Sequence, residues 1–141
     1  MHGRRPWHGG RILVAEDHYI LGEVTCDFLR HCGLSPVGPV ATAAEGSRLA
    51  RQSAFDGAVL DLGLADDLCV PICRILARRR IPFMFLSGYS DMSVIPLEFR
   101  SAPLVCKPFE SGEMRAALGR MLGRELVMRP PVAELYPDDG L

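Results

Sequence analysis

Five short apolar runs alternate with helical patterns along most of the chain, and this alternation constrains the fold more than any other feature. The runs span residues 12–15, 36–40, 58–60, 82–86 and 104–106. A short apolar run suits a strand buried on both faces, as in parallel sheets. Strands that alternate with helices predict an α/β fold, with a parallel sheet and helices on both of its faces.

Helical periodicity is strongest in the first and last of the intervening segments. The apolar residues predicted to share one face of the first helix are Ile20, Leu21, Val24, Phe28 and Leu29. Those predicted for the last helix are Met114, Ala117, Leu118, Met121 and Leu122. Gly33 is expected to end the first helix, because glycine readily adopts the left-handed conformation that follows many helices.

Polar residues indicate where the two middle helices begin. Thr42 and Glu45 form a capping box that opens a helix running to about Gln52. Asp66 and Asp67 are expected to cap the start of the next helix or to stabilise it by their charge. Each of these two helices therefore has its own predicted start signal.

Prolines constrain the predicted structure in three places. Two prolines in the run 36–40 indicate an irregular edge strand, because proline cannot donate to a strand ladder. Pro71 indicates that the third helix begins there or just before, and three arginines at 78–80 suit its C-terminus. Pro96 and a weak apolar pattern predict that the fourth helix, within residues 90–102, is short or irregular.

Length and composition predict one domain. The chain has 141 residues, a formal net charge of −1 and 48% hydrophobic residues, enough to bury a core. We expect a disordered N-terminus over 1–9, one folded domain over 10–123 and a C-terminal tail over 124–141. Without a basic stripe, a transmembrane run or a signal peptide, the chain is expected to be cytoplasmic and to bind neither nucleic acid nor membrane.

Polar residues stand where four of the predicted strands end. Glu16 and Asp17 follow the first strand, Asp61 the third, Ser87 the fourth and Lys107 the fifth. In a parallel sheet these ends meet at one edge, where ligands collect. Clustered carboxylates repel one another unless a cation is present, and Mg²⁺ prefers such oxygen ligands. A carboxylate can also attack a phosphoryl group, whose charge an ammonium and a hydroxyl then stabilise.

This ordered set resembles the receiver domain of two-component response regulators, over about residues 10–123. The matching features are the acidic pair 16–17, Asp61, the Ser87-Gly88 step and the Lys107-Pro108-Phe109 run. The resemblance implies a flavodoxin-like, doubly wound sheet of five strands in the order 2-1-3-4-5. It also implies a cis peptide bond between Lys107 and Pro108.

The resemblance also implies a role for each matched residue. Asp61 would accept a phosphoryl group, and Ser87 and Lys107 would contact its oxygens. Mg²⁺ would be the cofactor. Its expected ligands are Asp17 directly, Glu16 mainly through water, Asp61, and the main-chain carbonyl of Gly63.

Two features depart from the common receiver pattern. Leu104 occupies the position, three residues before the lysine, where receivers usually carry an aromatic switch residue. The stretch 82–89, PFMFLSGY, is similar to the Pro-Phe-x-Phe-Ala-Thr-Gly-Tyr motif of an atypical alphaproteobacterial subfamily that often stands alone. Tyr89 could therefore gate the site, or it could be a partly buried structural residue.

The resemblance implies a stand-alone phosphoacceptor rather than an enzyme. The expected donor is a histidine kinase or a histidine phosphotransfer protein. The chain would then signal to an unknown downstream protein or act as a phosphate sink, and homodimer formation stays open. The expected partner surface combines the segment 90–102, the fifth strand and the last helix.

Two other functions are weighed against this one. The first is a receiver-like binding module that does not use phosphorylation, which the intact polar set disfavours. The second is a phosphohydrolase of the haloacid dehalogenase type, which normally has a second aspartate two residues after the nucleophile. Here that position is Gly63, so the hydrolase is disfavoured too.

Overall fold

The computed structural model describes residues 10–88 and 92–128, and it contains one five-stranded parallel sheet. Its strands are β1 (Gly10–Ala15), β2 (Leu34–Val40), β3 (Gly57–Asp61), β4 (Phe83–Ser87) and β5 (Leu104–Cys106). Their order is β2-β1-β3-β4-β5, and every neighbouring pair is parallel. The predicted fold class and strand order are confirmed.

Four α-helices cover the two faces of the sheet. They are α1 (Tyr19–His31), α2 (Ala43–Gln52), α3 (Val70–Arg78) and α4 (Ser111–Leu122). One apolar cluster joins Leu60 and Phe85 of the sheet to α2 and α3. A second cluster joins Val59 and Met84, which point to the other face, to α1 and α4. Within the described residues, none of these helices has the length and apolar content needed to cross a bilayer.

Between β4 and β5, the described residues 92–103 form two short 3-10 helices, Met92–Val94 and Leu97–Phe99, and no α-helix. Phe99 is buried and packs edge-on against Phe83, with ring centroids 5.5 Å apart. The fourth helix is therefore irregular, as predicted. Pro96 lies between the two 3-10 helices.

The predicted apolar face of α1 is wrong at two positions. Ile20 and Val24 are 65% and 50% exposed, whereas Gly22 and Cys26 are buried. The cause is a close approach to the edge strand: a Cβ on Gly22 would lie 2.7 Å from the side chain of Pro39. The helix therefore turns small residues toward β2 and leaves larger ones at its surface.

The predicted capping of α3 by Asp66 or Asp67 is also wrong; their effect on that helix through charge stays a prediction. Helix α3 has no side-chain cap and begins instead with a proline in its first turn. The Asp66 carboxylate accepts hydrogen bonds from the N-terminal amides of α2, and Asp67 accepts one from the amide of Leu68. A residue that precedes one helix in sequence can thus cap a different helix that lies close to it in the fold.

The two ends of the chain lie largely outside the described residues. The prediction for 1–9 cannot be compared with the structure, nor can that for 129–141. Of the predicted tail, residues 124–128 are described, and Leu126 is buried against the cluster between the sheet and α1 and α4. The thiol of Cys32 lies 3.3 Å from the sulfur of Met128. Packing therefore continues to Met128.

Candidate functional site

The carboxyl edge of the sheet brings the predicted polar residues together. Glu16 directly follows β1, and its amide donates to the carbonyl of Val40, 2.9 Å away. Asp61 and Ser87 are the last residues of β3 and β4. The amide of Lys107 donates to the carbonyl of Ser87 at 2.7 Å. Backbone pairing at the strand ends therefore fixes the positions of these side chains.

Three carboxylates form a cluster suited to a hard divalent cation. Glu16, Asp17 and Asp61 each offer an oxygen, and these oxygens lie within 4.8 Å of one another. Glu16 and Asp61 are buried, and Asp17 is exposed. An all-oxygen donor set with an open side fits Mg²⁺, which is usually held by one or two carboxylates and keeps several waters.

The ammonium group of Lys107 lies between two of these carboxylates. Its Nζ is 3.0 Å from Oε1 of Glu16 and 3.1 Å from Oδ2 of Asp61. Burial alone would lower the pKa of Lys107, but the two carboxylates outweigh it and raise that pKa. Lys107 is therefore positively charged at neutral pH, and its ammonium group contacts the Asp61 carboxylate.

The environments of the two buried carboxylates differ. Burial, together with the neighbouring Glu16 carboxylate, raises the pKa of Asp61 to about 6. Burial also opposes ionisation of Glu16, but the amide of His18 and the ammonium of Lys107 outweigh it and lower the Glu16 pKa. The negative charge of Asp61 is thus the less stable of the two, and a bound cation would stabilise it.

An open cavity of about 550 Å³ lies above Asp61. Gly63, Ser87 and Lys107 line it on the polar side. Leu68 and Val94 line its rim and are 39% and 43% exposed. Neither residue was predicted from the sequence to belong to the site, because each lies in a segment without apolar periodicity. The cavity is open to solvent, and Asp61 lies among its lining residues.

His18 connects the site to α1. Its amide donates to Oε2 of Glu16 at 3.1 Å, and its ring Nδ1 accepts from the amide of Leu21 at 3.3 Å. The side chain is therefore the N-cap of α1. His18 thus caps the helix and also helps to orient Glu16.

Comparison with solved structures identifies the family. The solution structure of SdrG from Sphingomonas melonis Fr1, a receiver domain, is 34% identical to this chain. The TM-score is 0.71, and the match covers 81% of this chain and 97% of SdrG. The chain belongs to the receiver-domain family of response regulators. Neither a protein-family model nor a curated protein matches the sequence.

Other receiver structures share the fold at lower identity. The receiver domain of Erythrobacter litoralis PhyR is 21% identical, with a TM-score of 0.73 over 88% of this chain and 95% of that domain. The receiver domain of a Pseudomonas aeruginosa sensor histidine kinase is 24% identical, with a TM-score of 0.68 over 82% of this chain and 98% of that domain. That structure has a magnesium ion in its active-site cleft. The similarity to SdrG fits the atypical alphaproteobacterial subfamily.

The positions where this receiver departs from the common pattern are only partly described. Leu104 is half-buried and packs against the cluster on the α2 and α3 side of the sheet. Tyr89 lies outside the described residues, so its gating role stays a prediction. The peptide bond between Lys107 and Pro108 is cis, as the resemblance implies.

Proposed function

We propose that this receiver accepts a phosphoryl group on Asp61 from a histidine kinase or a histidine phosphotransfer protein. The observation that carries the proposal is the position of the Asp61 carboxylate. It lies at the base of an open cavity, beside two further carboxylates and 3.1 Å from the Lys107 ammonium. Nucleophile, cation ligands and charge-stabilising group are therefore already assembled.

The proposed reaction is a phosphoryl transfer. A carboxylate oxygen of Asp61 bonds to phosphorus as the bond between phosphorus and the donor's imidazole nitrogen breaks, and the imidazole leaves with that electron pair. Glu16, Asp17, Asp61 and the Gly63 carbonyl would hold Mg²⁺. When bound, that ion supplies positive charge against the phosphoryl oxygens.

Lys107 and Ser87 have the complementary role in the proposal. The Lys107 ammonium leaves the Asp61 carboxylate and donates to a phosphoryl oxygen, while it stays close to Glu16. The Ser87 hydroxyl, at the end of the neighbouring strand, donates to a second phosphoryl oxygen. Donors positioned before the reaction stabilise developing charge without reorganisation.

We propose that the consequence is signalling by protein contact or removal of phosphoryl groups from a relay, rather than catalytic turnover of a substrate. The new charge at Asp61 would bias the loops around the cavity. The segment 92–102, β5 and α4 form the proposed partner surface, where Leu97 is 78% exposed. A second candidate function is a receiver-like module that binds its partner without phosphorylation. It is favoured by Leu104, which stands where receivers usually carry an aromatic switch residue.

Beryllium trifluoride tests the proposal, because it mimics a phosphoryl group on a carboxylate. The similar receiver SdrG has been solved in a BeF3-activated conformation. With Mg²⁺ present, we expect the amide resonances of Leu62, Ser87 and Lys107 to shift on addition of beryllium trifluoride, and no shift without Mg²⁺. Unchanged spectra under both conditions would contradict the phosphoacceptor function and favour the phosphorylation-independent module.

A further inference from the structure

We infer that Asp66 is a positioning residue for the Asp61 site, because it fixes the loop after β3 to the start of helix α2. This loop, residues 62–69, is called the β3–α3 loop. The inference rests on the proposed function, since it concerns how the loop presents Gly63 to the cation. Asp66 itself is exposed and is not part of the carboxylate cluster.

The contacts of Asp66 reach across 23 residues of sequence. Its Oδ1 accepts from the amide of Ala43 at 2.6 Å, and its Oδ2 accepts from the amide of Ala44 at 3.1 Å. The third amide of the helix, that of Glu45, donates to the Thr42 hydroxyl at 3.1 Å. The first amides of a helix have no partner within it. Here they are shared between a local cap and a carboxylate from another loop.

Aspartate suits this contact for two reasons. An ionised carboxylate only accepts hydrogen bonds and can accept from two adjacent amides at once. Its negative charge is also favoured at the positive end of the helix. A second backbone contact lies beside it, where the amide of Ala65 donates to the carbonyl of Ala41 at 3.0 Å.

Hydrogen bonds within the loop connect Asp66 to Gly63. The amide of Leu64 donates to the carbonyl of Asp67 at 2.9 Å, and the amide of Cys69 donates to the carbonyl of Leu62 at 2.9 Å. Gly63 and Leu68 form an antiparallel bridge. The loop is therefore a small hairpin. Because these hydrogen bonds join its two sides, fixing Asp66 to α2 restricts the position of Gly63.

Packing does not fix Gly63 directly. It is exposed, and among the described residues no atom beyond its two chain neighbours lies within 4 Å of where its Cβ would be. The flanking Leu62 and Leu64 side chains are each 9% exposed and keep the loop in the core. Loss of Asp66 should therefore loosen the loop around Gly63 without unfolding it.

The test compares Asp66→Ala with Thr42→Ala. Both variants remove an acceptor from the same end of α2, but Thr42→Ala leaves the β3–α3 loop untouched. For Asp66→Ala we expect Mg²⁺ binding, measured by calorimetry, to weaken about tenfold, the lower end of effects seen for groups that orient metal ligands. Thr42→Ala should stay within about twofold of the native chain. Asp66→Asn, which keeps one acceptor oxygen, should lie between them.

A metal-free measurement supports the comparison. Hydrogen exchange at the amides of Ala43, Ala44 and Ala65 should speed up at all three in Asp66→Ala. Ala65 should stay protected in Thr42→Ala. These results would show that the carboxylate holds the loop as well as the helix.

The possible outcomes separate this inference from the proposed function. Native Mg²⁺ affinity in Asp66→Ala would overturn the inference alone, and so would equal weakening in Asp66→Ala and Thr42→Ala. If the native chain binds no Mg²⁺ and takes up no phosphoryl group, the proposed function fails, and the inference fails with it.

Discussion

The two ends of the sheet's strands have opposite chemistry. Five polar side chains are buried in the described part of the chain, and three of them, Glu16, Asp61 and Ser87, lie at the carboxyl end. At the amino end the buried strand residues are apolar or glycine, such as Leu34 and Gly57. Between the two ends, apolar clusters are buried on both faces of the sheet.

This difference indicates that the carboxyl end of the strands serves function, whereas the apolar part of the sheet serves stability. Burial raises the pKa of Asp61 to about 6, so its ionised form is less stable in the fold than in water. An apolar side chain at position 61 would avoid the free-energy cost of burying a charge. We therefore expect changes at the carboxyl end to alter ion binding and phosphoryl chemistry, and changes in the apolar layer to alter the free energy of unfolding.

The largest expected effect comes from Lys107→Ala at saturating Mg²⁺. Loss of a positioned charge donor should slow phosphoryl uptake from a small phosphodonor by about 10²–10³-fold, measured by intact mass against time. Arg48→Ala is the control, because Arg48 pairs with Glu45 on the surface of α2, and its uptake rate should not change. Rates within about twofold for the two variants would remove Lys107 from the chemistry.

The apolar layer should respond in the opposite way. Leu118 on α4 is fully buried, so Leu118→Ala should lower the free energy of unfolding by about 3 kcal/mol through lost burial and a cavity. Urea titration measures the loss. The affinity of the remaining folded protein for Mg²⁺ should match that of the native chain. A large loss of that affinity would show that the two regions are not separable.

Mg²⁺ itself should stabilise the fold. At a concentration about 100 times its Kd, a ligand that binds only the native state adds about 2.7 kcal/mol. The shift in Tm should shrink for Asp17→Asn and stay unchanged for Asp27→Asn, a control on the exposed surface of α1. Equal shifts in the two variants would mean that the carboxylate cluster is not the binding site.

The smallest expected effect is a gain in stability. In metal-free protein at pH 7, Asp61→Asn should raise the free energy of unfolding by about 1 kcal/mol, after allowance for solvent screening in the open cavity. The change is a gain because the pKa of Asp61 is raised in the fold, to about 6, so ionisation of Asp61 destabilises the native state. The cost of ionisation grows between about pH 4, the unfolded pKa, and pH 6, and is fully present above that. The gain should disappear below pH 4, and a gain that persists there would contradict this cause.

Much of the fold and site could be predicted because the strand ends are local signals. Each of Asp61, Ser87 and Lys107 follows an apolar run directly, and parallel topology alone brings such ends to one edge. The strand order followed from resemblance to receivers. The irregular chain between β4 and β5 followed from Pro96.

The failures of prediction involve contacts between distant segments. Ile20 and Val24 matched helical periodicity, but the approach of Pro39 to Gly22 decides which face of α1 is buried. Asp66 precedes α3 in sequence, yet it caps α2. No local pattern encodes either contact, since one depends on how α1 meets β2 and the other on how the β3–α3 loop meets α2.

The most direct test of the central claim is the intact mass of the native chain and of Asp61→Asn after incubation with a small phosphodonor. We predict one phosphoryl adduct on the native chain with Mg²⁺, none without Mg²⁺, and none on Asp61→Asn. An adduct that survives in Asp61→Asn, or a native chain that takes up none from the small donor or from a panel of histidine kinases, would contradict the assignment of Asp61 as the phosphoacceptor.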